Sequence, residues 1–327
     1  MKAVIISAPG GPDVLRLEER PRPEPGVGQI QVRVVASAIN RADIMQREGH
    51  YPPPPGAPAD IPGLEYAGVV EAVGEQVTMW RPGARVMGVT GGGAHAEFTC
   101  VHEREAIAIP DGLSFDDAAA IPEAFLTAHD ALVNRLDVRA GDRVLIHAVG
   151  SGVGTAALQL AHRAGATVVG TSRSAPKLER ARALGLHHAI TASGDGWPAQ
   201  VEALVGANGI HAIVDLVGGD YVGGDLRVLA VRGRLVVVGL TAGRRATLDL
   251  GALLAKRATV VGTVLRSRPL EEKISLARDF ADRVMPAFAS GVLRPVVDRT
   301  LPFSEIRAAH EAMTSDATFG KIVLRWE

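Results

Sequence analysis

The stretch that decides the fold runs Val144-Leu145-Ile146-His147-Ala148-Val149-Gly150-Ser151-Gly152-Val153-Gly154, followed by Thr155 to Ala164. The five residues Val144 to Ala148, apolar but for His147, read as a strand, the glycines read as a tight turn, and Ala156, Leu158, Leu160 and Ala161 give the next segment a helical apolar face. A strand that turns through glycines into a helix brings backbone N–H groups and the positive helix end to one point, where a pyrophosphate is held. Gly150, Ser151, Gly152, Val153 and Gly154 are the candidate contacts. The strict G-x-G-x-x-G pattern is absent, because Val149 and Ser151 occupy its first two glycine positions, and the same turn also serves as a plain structural turn in other α/β proteins.

Working outward, the next strand, Thr167 to Thr171, ends at Ser172-Arg173-Ser174, with Lys177 one turn further on. NAD-binding versions of this unit carry a carboxylate there for the ribose 2′-OH. A 2′-phosphate is repelled by a carboxylate and favoured by Arg, Lys and hydroxyl donors, so Arg173, Ser174 and Lys177 predict NADPH rather than NADH. A solvated basic loop is the plainer alternative.

The pattern continues with a helix over Ala175 to Leu184, a strand at Ile210 to Leu216, a helix near Gly224 to Ala230 and strands at Arg234 to Gly239 and Thr259 to Leu265. Repeated crossovers of this kind imply a doubly wound parallel sheet. Before Ile121 the chain is different: short apolar runs at Ile30 to Val35, Ala67 to Val73, Arg85 to Val89 and Ala106 to Ile109 are broken by Gly and Pro, which reads as a β-rich domain. After Arg268 come helical stretches over Leu270 to Ser290 and Ser304 to Met313 and a strand at Lys321 to Arg325, which can join either domain. The fold class is therefore α/β in two domains, a β-rich one up to about Ile121 and a parallel-sheet one after it.

The 327 residues suffice for two domains of roughly 150 each. A net charge of −1 leaves no basic excess for nucleic acid or an anionic membrane. The first apolar run, Ala3 to Ile6, is too short for a membrane span. One cysteine, Cys100, permits neither an internal disulfide nor a Cys₄ zinc site, which suits the cytoplasm. His50 and the pair His187-His188 lack ligand partners at convincing spacing.

Several separated segments carry a resemblance: Asn40-Arg41-Ala42-Asp43, Gly49-His50-Tyr51 before Pro52 to Pro55, Gly63-Leu64-Glu65-Tyr66-Ala67-Gly68, Pro122-Glu123-Ala124-Phe125-Leu126-Thr127-Ala128, Leu265-Arg266-Ser267-Arg268 and Gly320-Lys321-Ile322-Val323-Leu324. In this order they resemble the quinone oxidoreductase branch of the medium-chain dehydrogenase/reductase superfamily, nearest the subgroup containing the tumour-suppressor-inducible enzyme. The resemblance implies a GroES-like catalytic domain, made from the N-terminal part and the C-terminal tail (1–121 with 268–327), around an inserted Rossmann domain (122–267), with NADPH in the interdomain cleft.

It also implies that Asn40 and Thr127 lie near the nicotinamide, that Ser174 and Lys177 meet the 2′-phosphate, and that Gly218, Gly239 and Lys321 line the cofactor site. The Tyr that some relatives place after the third Rossmann strand is matched here by Ala192. Zinc-dependent relatives have Cys at the place of Asn40 and His at the place of Leu64, and neither residue here replaces such a ligand, so no metal is expected. Tyr51 is the candidate proton donor to the substrate oxygen, with Asn40 and Asp43 as further catalytic candidates. Tyr51 also reads as a loop anchor, and Asp43 as a local turn residue.

The expected reaction is NADPH-dependent reduction of a quinone or related conjugated carbonyl, with a homodimer expected by resemblance. An alkenal or enoyl-thioester reductase uses the same cofactor and a similar oxyanion partner, and the residues separate the two poorly. A non-catalytic, crystallin-like NADPH-binding protein is the remaining alternative.

Overall fold

The computed structural model describes residues 1–192, 194–206 and 209–326. The chain divides into two compact units, Met1–Leu126 with Leu265–Glu327 (unit 1) and Thr127–Val264 (unit 2). The first crossing falls inside a helix, Pro122–His129, whose apolar residues are buried on both sides of the junction. Fifteen strands are present among the described residues: β1 (Lys2–Ile6), β2 (Leu15–Glu19), β3 (Gln29–Ala38), β4 (Glu65–Val73), β5 (Arg85–Val89), β6 (Phe98–His102), β7 (Ile107–Ala108), β8 (Arg143–Ile146), β9 (Thr167–Ser172), β10 (His188–Thr191), β11 (Ile210–Asp215), β12 (Leu229–Val237), β13 (Thr259–Gly262), β14 (Val297–Pro302) and β15 (Lys321–Arg325).

In unit 2 the strands form a six-stranded sheet in the order β10-β9-β8-β11-β12-β13, with every pair parallel. This is the doubly wound order in which the chain reverses direction beside the first strand, here β8. Parallel strands covered on both faces need apolar side chains on both, and Leu145, Val169, Ile213 and Leu235 are buried against Trp197, Val201 and Leu226 on one of them. The helix Trp197–Val205, which had no expectation, supplies part of that cover.

In unit 1 the larger sheet runs β14-β15-β3-β4-β5-β7, with β6 also pairing β3. The last strand, open to either domain on its local pattern and assigned to the first by the resemblance, pairs antiparallel with β3 through Val323↔Ala38 and Leu324↔Ser37. Ile322 and Leu324 thereby join a core with Val4, Leu15, Ile39 and Phe303. Burial of such side chains, at roughly 1.5–3 kcal/mol each, fixes the tail to the N-terminal sheet.

Three expectations are corrected. The single helix over Leu270 to Ser290 is two, Leu270–Arg283 and Met285–Ala289, because Pro286 has no N–H to continue the first and is tolerated in the first turn of the second. The helix near Gly224 to Ala230 starts earlier and stops at Val228, and Leu229 already begins β12 beside Ile210. The strand expected to reach Leu265 stops at Gly262.

Candidate active site

In unit 1 a set of charged and amide side chains meets where β3, β4 and β15 come together. Glu65, first residue of β4, is fully buried, and its carboxylate is completely paired. Oε1 accepts from Asn40 Nδ2 at 2.8 Å and lies 2.7 Å from Lys321 Nζ, while Oε2 accepts from the Glu123 N–H at 2.8 Å. Lys321, at 4% exposure, also donates to the Asn40 Oδ1 at 2.5 Å and the Ile39 carbonyl at 3.0 Å. Three donations satisfy the ammonium, so the charge pair sits in the interior without an orphaned group. Lys321 is thus committed within unit 1, and both ends of the Asn40 amide are engaged.

Asn40 precedes the helix Arg41–Arg47, and Asp43 reaches back to the Asn40 N–H at 2.8 Å, one half of a capping box. The other Asp43 oxygen accepts from Gly63 N–H at 3.0 Å. Asp43 has no exposed surface, and both oxygens hold backbone, so its geometry is that of a positioning residue. Gly63 is held at φ +99, where a Cβ would stand 2.4 Å from the His95 nitrogen, so only glycine fits that turn.

Tyr51 is partly buried beneath a guanidinium: the Arg266 head lies 4.9 Å from its ring centroid. Arg266 is itself buried and ties three segments together, donating to Gly91 O at 2.7 Å, Tyr51 O at 3.1 Å and Gln46 Oε1 at 2.5 Å. Burial, aided by the nearby Glu123 carboxyl and opposed by Arg266, raises the Tyr51 phenol above its usual range. A phenol kept protonated is able to donate. Glu123, in the first turn of its helix, is pushed up to about 8 by burial first and by the Glu65 carboxylate second.

In unit 2 the nucleotide residues gather at the carboxyl ends of the parallel strands. After β8, Ser151 caps the helix Gly152–Arg163 by accepting from the Gly154 N–H at 3.1 Å. No acidic side chain occupies that first turn, so its positive end is not neutralised from within. A Cβ on Gly154 would stand 2.4 Å from the Ala148 carbonyl, which is why this turn demands glycine. Gly150 and Thr127 are buried, and Gly152 and Val153 are partly exposed. After β9, Ser172 Oγ accepts from the Ser174 N–H at 3.1 Å, Arg173 is exposed and Lys177 half-exposed. Gly218 and Gly239, at the ends of β11 and β12, touch: a Cβ on Gly218 would meet the Gly239 carbonyl at 2.7 Å. The residues at this edge fit a bound dinucleotide, with a glycine turn and helix end for the pyrophosphate and cationic side chains after the second strand.

Two family models match the chain, one described as Alcohol dehydrogenase GroES-like domain over residues 26–111 and one as Zinc-binding dehydrogenase over 152–282. The Quinone oxidoreductase of Pseudomonas aeruginosa is 32% identical over 331 residues, covering 99% of this chain and 99% of that protein. The chain belongs to the quinone oxidoreductase family. Membership of this family makes it an oxidoreductase of the medium-chain dehydrogenase/reductase superfamily. Among solved structures, Escherichia coli quinone oxidoreductase complexed with NADPH has a TM-score of 0.90 at 29% identity, covering 99% of this chain and 100% of that one. The CurK enoyl reductase has a TM-score of 0.85 at 25% identity, covering 100% and 99%.

Within this quinone oxidoreductase scaffold, no group of three or more His, Cys, Asp or Glu side chains is placed to hold a metal ion among the described residues. Sequence reasoning named Asn40, Asp43, Tyr51 and Lys321 as site residues but not Glu65, Glu123 or Arg266. Their signal was present in the quoted family segments, but which charges meet is a property of the fold. It also missed a buried contact under the end of β9: His147 Nδ1 lies 2.8 Å from Thr171 Oγ1 and its Nε2 2.7 Å from Asp225 Oδ1. Burial raises Asp225 to about 6. His50, by contrast, is an exposed residue beside Glu48, at 3.9 Å.

Proposed function

We propose that this chain reduces a quinone or related conjugated carbonyl with NADPH and without zinc. The observation that carries the reading is the Lys321 ammonium locked on Glu65 and Asn40. The negative charge that a metal would otherwise balance is balanced by a side chain. Reduced nicotinamide, when bound, supplies the hydride. The protein binds, orients and moves a proton, and catalysis of this kind rests mainly on proximity. The capped turn at Ser151 to Gly154 holds the pyrophosphate, Arg173, Ser174 and Lys177 favour the 2′-phosphate, and the neutral Tyr51 phenol donates to the acceptor oxygen. The expected proximity of Asn40 and Thr127 to the nicotinamide belongs to the same reading.

The test is loss of nicotinamide absorbance with a panel of quinones, alkenals and enoyl-thioesters, with and without a chelator. Quinone turnover that survives the chelator, with NADPH preferred over NADH, is expected. Replacing Arg173 and Lys177 by Ala should weaken NADPH binding by about tenfold or more and leave NADH unaffected, since each charge-assisted hydrogen bond contributes roughly 1.5–3 kcal/mol. Preference for an enoyl-thioester would instead select the second reading, which the likeness to an enoyl reductase favours. Binding of NADPH with no turnover at all would select the crystallin-like alternative.

We further propose a homodimer, working in the cytoplasm. β13 is the outer strand of its sheet and largely exposed, and the preceding helix leaves Leu250 and Leu254 at 64% and 76% exposure. An open edge with apolar neighbours is a pairing surface unless it is covered. Light scattering of the chain and of Leu254→Glu should give a dimer and a monomer respectively. The single cysteine, Cys100, whose thiol burial pushes up to about 11, suits a reducing compartment.

A further inference from the structure

We propose that Glu123 is the proton reservoir of the reaction, holding the proton that Tyr51 passes to the acceptor oxygen. This rests on the reductase reading and adds the group that recharges the donor.

The geometry is that of a carboxyl without a fixed partner in a site where every other charge has one. Glu65 is saturated by Asn40, Lys321 and the Glu123 N–H. Asp43 is saturated by two backbone amides, and Arg266 by three acceptors. The Glu123 carboxyl makes no hydrogen bond or ion pair among the described residues, and the residue is partly buried. The charged and titratable groups close enough to act on it are Glu65 from β4, Lys321 from β15, Asp43 from the Arg41–Arg47 helix, Arg266 from the segment after β13, and Tyr51 from its loop. Burial and the two carboxylates outweigh the two cations, so Glu123 stays protonated up to about pH 8.

Two-electron reduction of the acceptor adds one hydride and one proton, while the nicotinamide is oxidised. The Tyr51 O–H bond breaks as its proton goes to the anionic acceptor oxygen. The Glu123 O–H bond breaks as the phenol is restored, and the resulting carboxylate regains a proton from water. A carboxylic acid titrating near working pH suits that role.

The test combines pH profiles of kcat/KM with infrared difference spectra of the carboxyl stretch in wild type, Glu123→Gln and Glu123→Asp. Expected are a protonated carboxyl at pH 7 that titrates near pH 8 and vanishes in Glu123→Gln. Wild type should lose activity over that same range. Glu123→Gln should lack this alkaline limb and turn over on the order of a hundredfold more slowly. Glu123→Asp should restore a limb at a shifted pH. A Glu123 ionised at pH 7, or an alkaline limb unchanged in both variants, overturns the reservoir alone. A wild type that binds NADPH but turns over no acceptor overturns the reaction, and the reservoir with it.

Discussion

The cluster in unit 1 and the turn in unit 2 are built from opposite materials. Around Glu65 the structure invests in side-chain charge: a fully buried carboxylate, a nearly buried ammonium and an amide that bonds to both. At Ser151 to Gly154 it invests in backbone, with a helix end and a glycine that clears the Ala148 carbonyl. Buried charge is costly unless every lone pair and proton is matched, so such a cluster tolerates almost no change of chemistry. A main-chain cradle is indifferent to chemistry and intolerant of volume. The difference shows which residues carry identity and which carry only shape.

The strongest way to break the contrast is Lys321→Met, which leaves Glu65 buried and unpaired. It should destabilise the protein by roughly 3–5 kcal/mol in denaturant unfolding, and replacing Glu65 by Leu in the same chain should return much of that. If the single change cost no more than a surface substitution, the cluster would not be a matched charge set.

Gly154→Ala comes next. The added methyl must displace the Ala148 carbonyl, so a cost of about 1–3 kcal/mol is expected, together with weakened NADPH binding read by calorimetry. Binding weakened while stability is unchanged would mean that the turn itself relaxes freely.

A third test sharpens the comparison through pH. Glu123 holds its proton up to about 8 in the folded protein, whereas an unfolded glutamate releases it near its ordinary value of 4.5. Between those values the folded state binds more protons than the unfolded one, so this group's contribution to stability is lost as pH rises through the window. Glu123→Gln has no proton to lose. Thermal melts at pH 5 and pH 8.5 should therefore show the variant gaining on wild type at the higher pH, and parallel curves would remove Glu123 from the set of shifted groups.

Much of the fold was legible because it is written in local pattern. The glycine turn after Val144 to Ala148, the alternation of apolar strands and helices after it, and the Gly- and Pro-broken runs before Ile121 all follow from periodicity and turn chemistry. The break at Pro286 was legible too, but the amphipathic stretch around it was read as one helix. Tyr51, Asn40 and Lys321 were named through family segments. Glu123 was quoted in one of those segments and passed over, since a glutamate at a helix start is an ordinary first-turn residue by position. Its neighbours, Glu65, Lys321 and Arg266, lie 58, 198 and 143 residues away along the chain.

By itself the sequence determined the two kinds of domain, the doubly wound sheet, the nucleotide turn and the family segments, because each depends on residues within a few turns or strands of one another. Only the tertiary structure decided that the last strand pairs with β3, that Lys321 is spent on Glu65 and Asn40, and that Arg266 covers Tyr51. Those outcomes depend on which distant side chains share an interior with few water molecules. There, pairing and protonation are set by neighbours that no local pattern specifies.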